Sequence, residues 1–260
     1  MLNENECREI AFALLNACRD CKPIPKPSQR YPGLEVKDGY RIQDLWAKEK
    51  AVGGAKLVGH KIGLTSKAMQ RTAQLAEPDH GKIFNDCVYA DGSRLNASSF
   101  INARLEMELA FILGDDLEGP DTQLYDVVRA TEFVVPALEV NDFRTDMPRT
   151  IADTIADNAA FGAIVVGGRP VRPQEVDLRW VGATLARNGV IEESGLSAAV
   201  MGHPAISVAW LVNKLYTLGC KLEKGQIVLA GSFARPVDIE AGDIFHADYG
   251  PLGSIGVVFA

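Results

Sequence analysis

The segment Arg104-Leu105-Glu106-Met107-Glu108-Leu109-Ala110-Phe111-Ile112-Leu113 carries two acidic residues inside an otherwise apolar run. In a β-strand, side chains alternate between faces. Glu106, Glu108 and Ala110 then share one face, and Leu105, Met107, Leu109 and Phe111 the other. The two carboxylates stand about 6–7 Å apart at ~3.3 Å per residue. Like charges so placed repel and lose hydration. A hard divalent cation such as Mg2+ or Mn2+ relieves both, because it takes oxygen ligands. The plainer account is an edge strand with its polar face in water.

Glu139 follows the unbroken run Phe133-Val134-Val135-Pro136-Ala137-Leu138. A buried carboxylate is costly unless paired or metal-bound. It is either a third ligand for the same cation or a strand end in solvent. Lys61 lies in Gly59-His60-Lys61-Ile62-Gly63. Desolvated beside a metal it would have a lowered pKa and could exchange protons near neutral pH; otherwise it is a surface lysine lying along apolar neighbours. Asp79, in Glu77-Pro78-Asp79-His80-Gly81, is a candidate general base or a turn residue favoured after proline. Two polar clusters lie beside small residues, Asp153–Ala160 and Gly231-Ser232-Phe233-Ala234-Arg235. Such segments let an anion approach backbone N–H groups; capping of a helix by Asp153 or Thr154 explains the first equally well.

These residues need strands to hold them. Short apolar runs at 57–64, 105–113, 133–140, 163–166, 227–230 and 254–259 read as strands, separated by turns such as Asp91-Gly92, Gly167-Gly168 and Asn188-Gly189. Helical patterns intervene at 123–130 and 205–218. Residues 1–70 read as mainly helical, with helices over 4–21 and 36–52 and a Pro-rich break (Pro23, Pro25, Pro27) between them. The order predicts an α+β fold with a mostly antiparallel or mixed sheet. The helical region, 1–70, is expected to pack on a catalytic domain spanning 71–260.

Composition narrows the function. The 260 residues are 47% hydrophobic and 23% charged, with a formal net charge of −7. That acidic balance argues against a nucleic-acid partner. No apolar run approaches the ~18 residues that suggest a membrane span, and no secretory signal pattern opens the chain; a cytoplasmic location is expected. Five cysteines, Cys18-x-x-Cys21 among them, make neither a disulfide framework nor a complete zinc site. The four histidines show no HxH or HExxH spacing, and no GxGxxG, Walker or GxSxG motif is present.

The segments GHKIGLTSKAMQ (59–70), EPDHG (77–81), RLEMELAFIL (104–113), VVPALEV (134–140), DTIADNAA (153–160), GHPAISVAWL (202–211), GQIVLAGSFARPV (225–237) and HADYGPLGSIGVVF (246–259) resemble, in order, the 2-keto-4-pentenoate hydratase family of the fumarylacetoacetate hydrolase superfamily. The resemblance implies a mixed β-sandwich or roll with an N-terminal helical region. It implies Mg2+ or Mn2+ on Glu106, Glu108 and Glu139, with Lys61 and Asp79 as acid/base residues. The implied substrate is a 2-hydroxy-2,4-dienoate or its 2-oxo-4-enoate tautomer, to which water adds at C4 to give a 4-hydroxy-2-oxo acid in aromatic meta-cleavage catabolism. Within the family the likeness is to the branch acting on 2-oxo-hept-4-ene-1,7-dioate; the competing branch is 4-oxalocrotonate decarboxylase. Pro78-Asp79-His80-Gly81 fits the hydratase pattern Pro-Asp-x-Gly, and His60 before Lys61 also favours it. Leu105, Leu138 and Ser232 are expected to contact substrate, and Arg235 to receive a second carboxylate. Ala160 departs from relatives that carry Ser there, which leaves the substrate preference open. Homo-oligomers are expected, with possible association with a neighbouring pathway enzyme; the remaining alternative is a non-catalytic metal-binding subunit.

Overall fold

The computed structural model describes residues 1–72 and 77–260. Helix α1 (Glu4–Asp20) starts at a reciprocal cap, in which the Asn3 side chain accepts from the Glu6 N–H and Glu6 accepts from the Asn3 N–H. It stops where Cys21 turns left-handed (φ 49°), one residue before the expected end. The Pro-rich break holds a short helix, α2 (Pro27–Arg30), because proline is tolerated at the first helical position. Helix α3 spans Val36–Val52 as expected. Ile10 and Leu14 of α1 meet Ile42 and Trp46 of α3, with Phe84, in one apolar cluster. Burying each such side chain stabilises by about 1.5–3 kcal/mol.

The remaining elements are β1 (Leu57–Gly63), α4 (Lys67–Thr72), β2 (Asp79–Phe84), β3 (Val88–Ala90), β4 (Arg94–Leu95), β5 (Ala103–Leu113), α5 (Leu124–Ala130), β6 (Thr131–Asp142), α6 (Ile151–Ala156), β7 (Phe161–Val166), β8 (Gly182–Arg187), β9 (Val190–Leu196), α7 (Pro204–Thr217), β10 (Ile227–Leu229), β11 (Val237–Asp238), β12 (Ile244–Asp248) and β13 (Ser254–Phe259). Among the described residues they form two mixed sheets. The larger runs β2-β1-β10-β5-β6-β7-β3, with β11 added beside the start of β5; the smaller runs β4-β13-β12-β8-β9. The fold is α+β with mixed sheets and N-terminal helices. The boundary expected at residue 70 needs correction, because β1 pairs with both β2 and β10 and so lies inside the larger sheet. The helical part therefore ends at Val52.

The largest apolar cluster lies between the sheets. It takes Leu105, Met107 and Leu109 from β5, Leu138 and Val140 from β6, Phe245, Ile255 and Val257 from the smaller sheet, and Val208, Leu211 and Val212 from α7. Alternation along β5 and β6 then leaves Glu106, Glu108 and Glu139 on the opposite face of the larger sheet. No helix among the described residues is long and apolar enough to cross a membrane.

Candidate active site

Glu106 and Glu139 are direct cross-strand partners on β5 and β6, and Glu108 faces Ala137 two residues along. Carboxylate oxygens of all three lie within 4.8 Å of one another. Glu108 and Glu139 are essentially fully buried, at 1% and 0% exposure, and Glu106 is half-buried. The edge-strand account fails here, because β5 is a central strand. Like charges directly opposed destabilise a sheet, and this one tolerates them only with compensation.

Part of that compensation comes from Lys61 of β1. Its Nζ lies 3.1 Å from Glu139 Oε1, and both side chains are buried. Strands β10 and β5 stand between β1 and β6. In a flat sheet that separation is ~14 Å at ~4.8 Å per strand, so the sheet must curl for the two residues to meet. Lys61 Nζ also reaches Asn141 Oδ1 at 3.4 Å, and Asn141 Nδ2 donates to Glu106 Oε2 at 2.7 Å. Glu108 Oε2 accepts from the Gly231 N–H at 2.8 Å. Gly231 has φ +115°, and a Cβ there would lie 2.4 Å from Thr65 Oγ1. Only glycine brings that N–H to Glu108. Behind the strands, Tyr249 Oη donates to the Ala137 carbonyl at 2.7 Å and accepts from the Glu108 N–H at 3.2 Å.

Of the two readings open for Asp79, the turn residue fails, because Asp79 opens β2 opposite Gly63. A Cβ on Gly63 would lie 2.2 Å from Asp79 Oδ1, so the missing side chain makes room for the carboxylate. Asp79 and Lys61 both occupy the carboxylate face, since Gly63 and Lys61 are two apart on β1.

The charges set the proton affinities. Burial, then Glu139, push Glu106 up to about 7. Burial, then Glu139 and Glu106, push Glu108 well above the ordinary carboxylate range. Burial also raises Asp79, against the pull of Lys61. Lys61 feels opposed effects. Burial alone would lower it, but Glu139, Asp79, Glu106 and Glu108 together raise it, and it stays an ammonium.

Several predicted contacts lie elsewhere. Leu105 and Leu138 are 0% exposed in the inter-sheet core, on the far side of their strands from the carboxylates. Their side chains point away from the carboxylates. Ser232 follows Gly231, but its Oγ is engaged with the Ala234 backbone. Arg235 is 85% exposed and paired with Glu193 at 2.8 Å, so it is a surface residue and not a substrate-tail pocket. Asp153 belongs to the cap of α6, with Thr150 as partner, and also accepts from Ser28. Asp157 is held by the buried Arg144 at 3.0 Å. Asn158, Ala159 and Ala160 are consecutive left-handed residues (φ 50°, 52° and 58°), and the Asn158 amide pins Lys82 of β2 through two 2.8 Å hydrogen bonds. Such strain clusters beside functional sites.

Sequence reasoning missed Asn141 and Arg149. Asn141 stands two residues after Glu139 on the same strand face, so the alternation applied to β5 also finds it on β6. Arg149 lies between β6 and α6, where no periodicity marks it.

The donor set fits a hard divalent cation. Both oxygens of Glu139 are buried without a hydrogen-bond partner; the Lys61 contact is an ion pair without hydrogen-bond geometry. Four carboxylates (Glu106, Glu108, Glu139, Asp79) face two cations (Lys61, Arg149), a formal excess of two negative charges.

Residues 57–259 match the family model described as fumarylacetoacetate (FAA) hydrolase C-terminal. The chain is 48% identical over 257 residues to the 2-oxo-hept-4-ene-1,7-dioate hydratase of Escherichia coli, covering 96% of each chain. It is 34% identical to the 2-keto-4-pentenoate hydratase of Paraburkholderia xenovorans (strain LB400), covering 96% of this chain and 94% of that one. Its fold superposes on 4-oxalocrotonate decarboxylase from Pseudomonas putida G7, complexed with magnesium and adipate, with a TM-score of 0.98 at 31% identity, covering 100% and 99% of the two chains.

Proposed function

The chain belongs to the fumarylacetoacetate hydrolase family, and from that premise we propose that it is a divalent-metal-dependent hydro-lyase adding water to a 2-oxo-4-enoate in meta-cleavage catabolism. The observation that carries the reading is the carboxylate triad with Lys61 in ion-pair contact and Asp79 on the same face. The hydratase names of the relatives support it. The preferred substrate is 2-oxo-hept-4-ene-1,7-dioate, after the 48%-identical relative. The dicarboxylate adipate in the structural neighbour agrees with a diacid.

Glu106, Glu108 and Glu139 are the residues that would hold Mg2+ or Mn2+. When bound, such a cation supplies Lewis-acid polarisation of a chelating 2-oxo acid. Lys61 donates a hydrogen bond to the C2 oxygen and shuttles the proton that ketonises the dienol, giving one to C5 and recovering the one the C2 hydroxyl releases. Asn141 keeps Lys61 and Glu106 in register. Asp79, in the carboxylate form that Lys61 and Arg149 favour, orients the attacking water, takes its proton as the C4–O bond forms and passes that proton to C3. Gly63 leaves the room that this carboxylate occupies. The product is a 4-hydroxy-2-oxo acid.

The test is to supply purified protein with Mg2+ and, separately, 2-hydroxypenta-2,4-dienoate and 4-oxalocrotonate. Hydration of the dienoate, abolished by EDTA and restored by Mg2+ or Mn2+, is expected. CO2 release from 4-oxalocrotonate without hydration would place the chain with the decarboxylases instead. No turnover of either would favour a non-catalytic metal-binding subunit.

A further inference from the structure

Arg149 is the basic residue the site leaves unexplained. Its guanidinium carbon lies 3.7 Å from the centroid of the Phe143 ring, a cation–π contact. Its Nη1 is wholly buried and has no hydrogen-bond partner. Among the described residues no carboxylate forms an ion pair with it within 4.0 Å, although Asp157, Asp79 and Asp153 act on it from further away. Two of those three are already engaged: Asp157 by Arg144 at 3.0 Å, and Asp153 by Ser28 and by the cap at Thr150. A buried charged donor left unpaired is costly, and an arginine packed against an aromatic ring offers a fork suited to a carboxylate.

Its position is also defined. Arg149 is among the main influences on Asp79, together with Lys61 and Glu139. It is not among the main influences on Lys61, Glu106 or Glu108. Phe143, on which it packs, follows the end of β6 two residues after Asn141, so Arg149 lies beside the end of the strand that carries Glu139 and Asn141. Burial lowers its pKa to about 10, which keeps it charged at neutral pH.

We propose that Arg149 receives the distal carboxylate of a dicarboxylate 2-oxo-4-enoate and so makes the site select diacids over monoacids, with Phe143 as its positioning residue. The inference rests on the proposed hydration reading, in which Asp79 serves C4. Only three more carbons of a heptenedioate lie beyond C4, so its far carboxylate ends near the group that faces Asp79. The surface-exposed Arg235 cannot take this role.

The experiment measures kcat/KM of the Mg2+-loaded enzyme for 2-hydroxyhepta-2,4-diene-1,7-dioate and for 2-hydroxypenta-2,4-dienoate. The diacid/monoacid ratio is expected to fall by about 10- to 100-fold in Arg149→Met, mainly through KM for the diacid. Arg149→Lys, which keeps the charge but loses the fork, is expected to fall between. An unchanged ratio, or equal losses on both substrates, overturns the proposal. Should the variants fail to fold, calorimetry on the unaltered holoenzyme decides the question. Adipate is expected to bind at least about tenfold more tightly than hexanoate, and equal binding refutes the role of Arg149. Failure of the unaltered enzyme to hydrate either dienoate sinks the hydration reading instead, and leaves the adipate comparison valid.

Discussion

Lys61 Nζ and Glu139 Oε1 stand 3.1 Å apart in the interior, although their strands are separated by two others. Removing one partner of a buried pair typically costs about 3–5 kcal/mol. Lys61→Met is expected to destabilise the metal-free protein by about that amount, because Glu106, Glu108, Glu139 and Asp79 lose their nearest cation. Added Mg2+ should recover much of the loss while activity stays absent. Thermal melting with and without Mg2+ checks this; a metal-insensitive loss would mean the pair acts through packing alone.

Glu139→Gln removes a proposed ligand from the centre of the triad. Hydration is expected to fall by about 10^3-fold or more, together with weakened binding of Mn2+ measured by calorimetry or electron spin resonance. Retention of both Mn2+ affinity and turnover would refute the assignment.

Protons compete with the cation for the same oxygens. With Glu106 pushed up to about 7 and Glu108 raised as well, both by burial and by Glu139, the metal-free site holds protons at slightly acidic pH. Metal affinity is therefore expected to rise with pH through about 7, changing about tenfold per unit per proton displaced below that point. Calorimetry in buffers of different ionisation enthalpy should detect protons released on binding at pH 6 and fewer at pH 8. A pH-independent affinity would contradict the raised carboxylates.

His60 and His80 lie on the opposite face of β1 and β2. Burial, then Lys82, lower His60 to about 3; burial, then His60, lower His80 well below its ordinary value. A histidine whose folded pKa is depressed takes up fewer protons folded than unfolded. Its contribution is complete above the unfolded value near 6.5 and is lost as pH falls through the folded one. His60→Gln is expected to reduce the acid sensitivity of unfolding between pH 6.5 and 3, by up to roughly 1.4 kcal/mol per pH unit. Urea midpoints of variant and unaltered protein, compared across that range, provide the measurement; parallel curves would argue against a neutral buried His60.

Gly231→Ala places a Cβ against Thr65 and forces a side chain into φ +115°. It is expected to cost about 1–3 kcal/mol and to weaken metal binding, because the Gly231 N–H holds Glu108. Combining it with Thr65→Ala should recover only part of the stability, since the strained backbone remains. Full recovery would assign the whole effect to the clash.

The sequence by itself determined which face of β5 carries the carboxylates, because strand alternation is a local rule. It also located α1, α3 and most of the larger sheet, whose apolar runs and turn residues are local signals. The ordered segments around Glu106, Glu108, Glu139, Lys61 and Asp79 carried the family. Tertiary structure decided what alternation cannot reach. The opposition of Glu106 and Glu139 depends on the β5–β6 register. The Lys61–Glu139 contact depends on sheet curl accumulated over four strands, a property of no single segment. Lys61 keeps its proton because four carboxylates distant in sequence converge on it, which reverses the sign expected from burial alone. Arg235, beside glycine and serine, looked like an anion pocket and turned out to the surface with Glu193. Arg149, in an unmarked loop, was carried inward against Phe143. Loop side chains follow no period, so only the packed fold settles which arginine is buried.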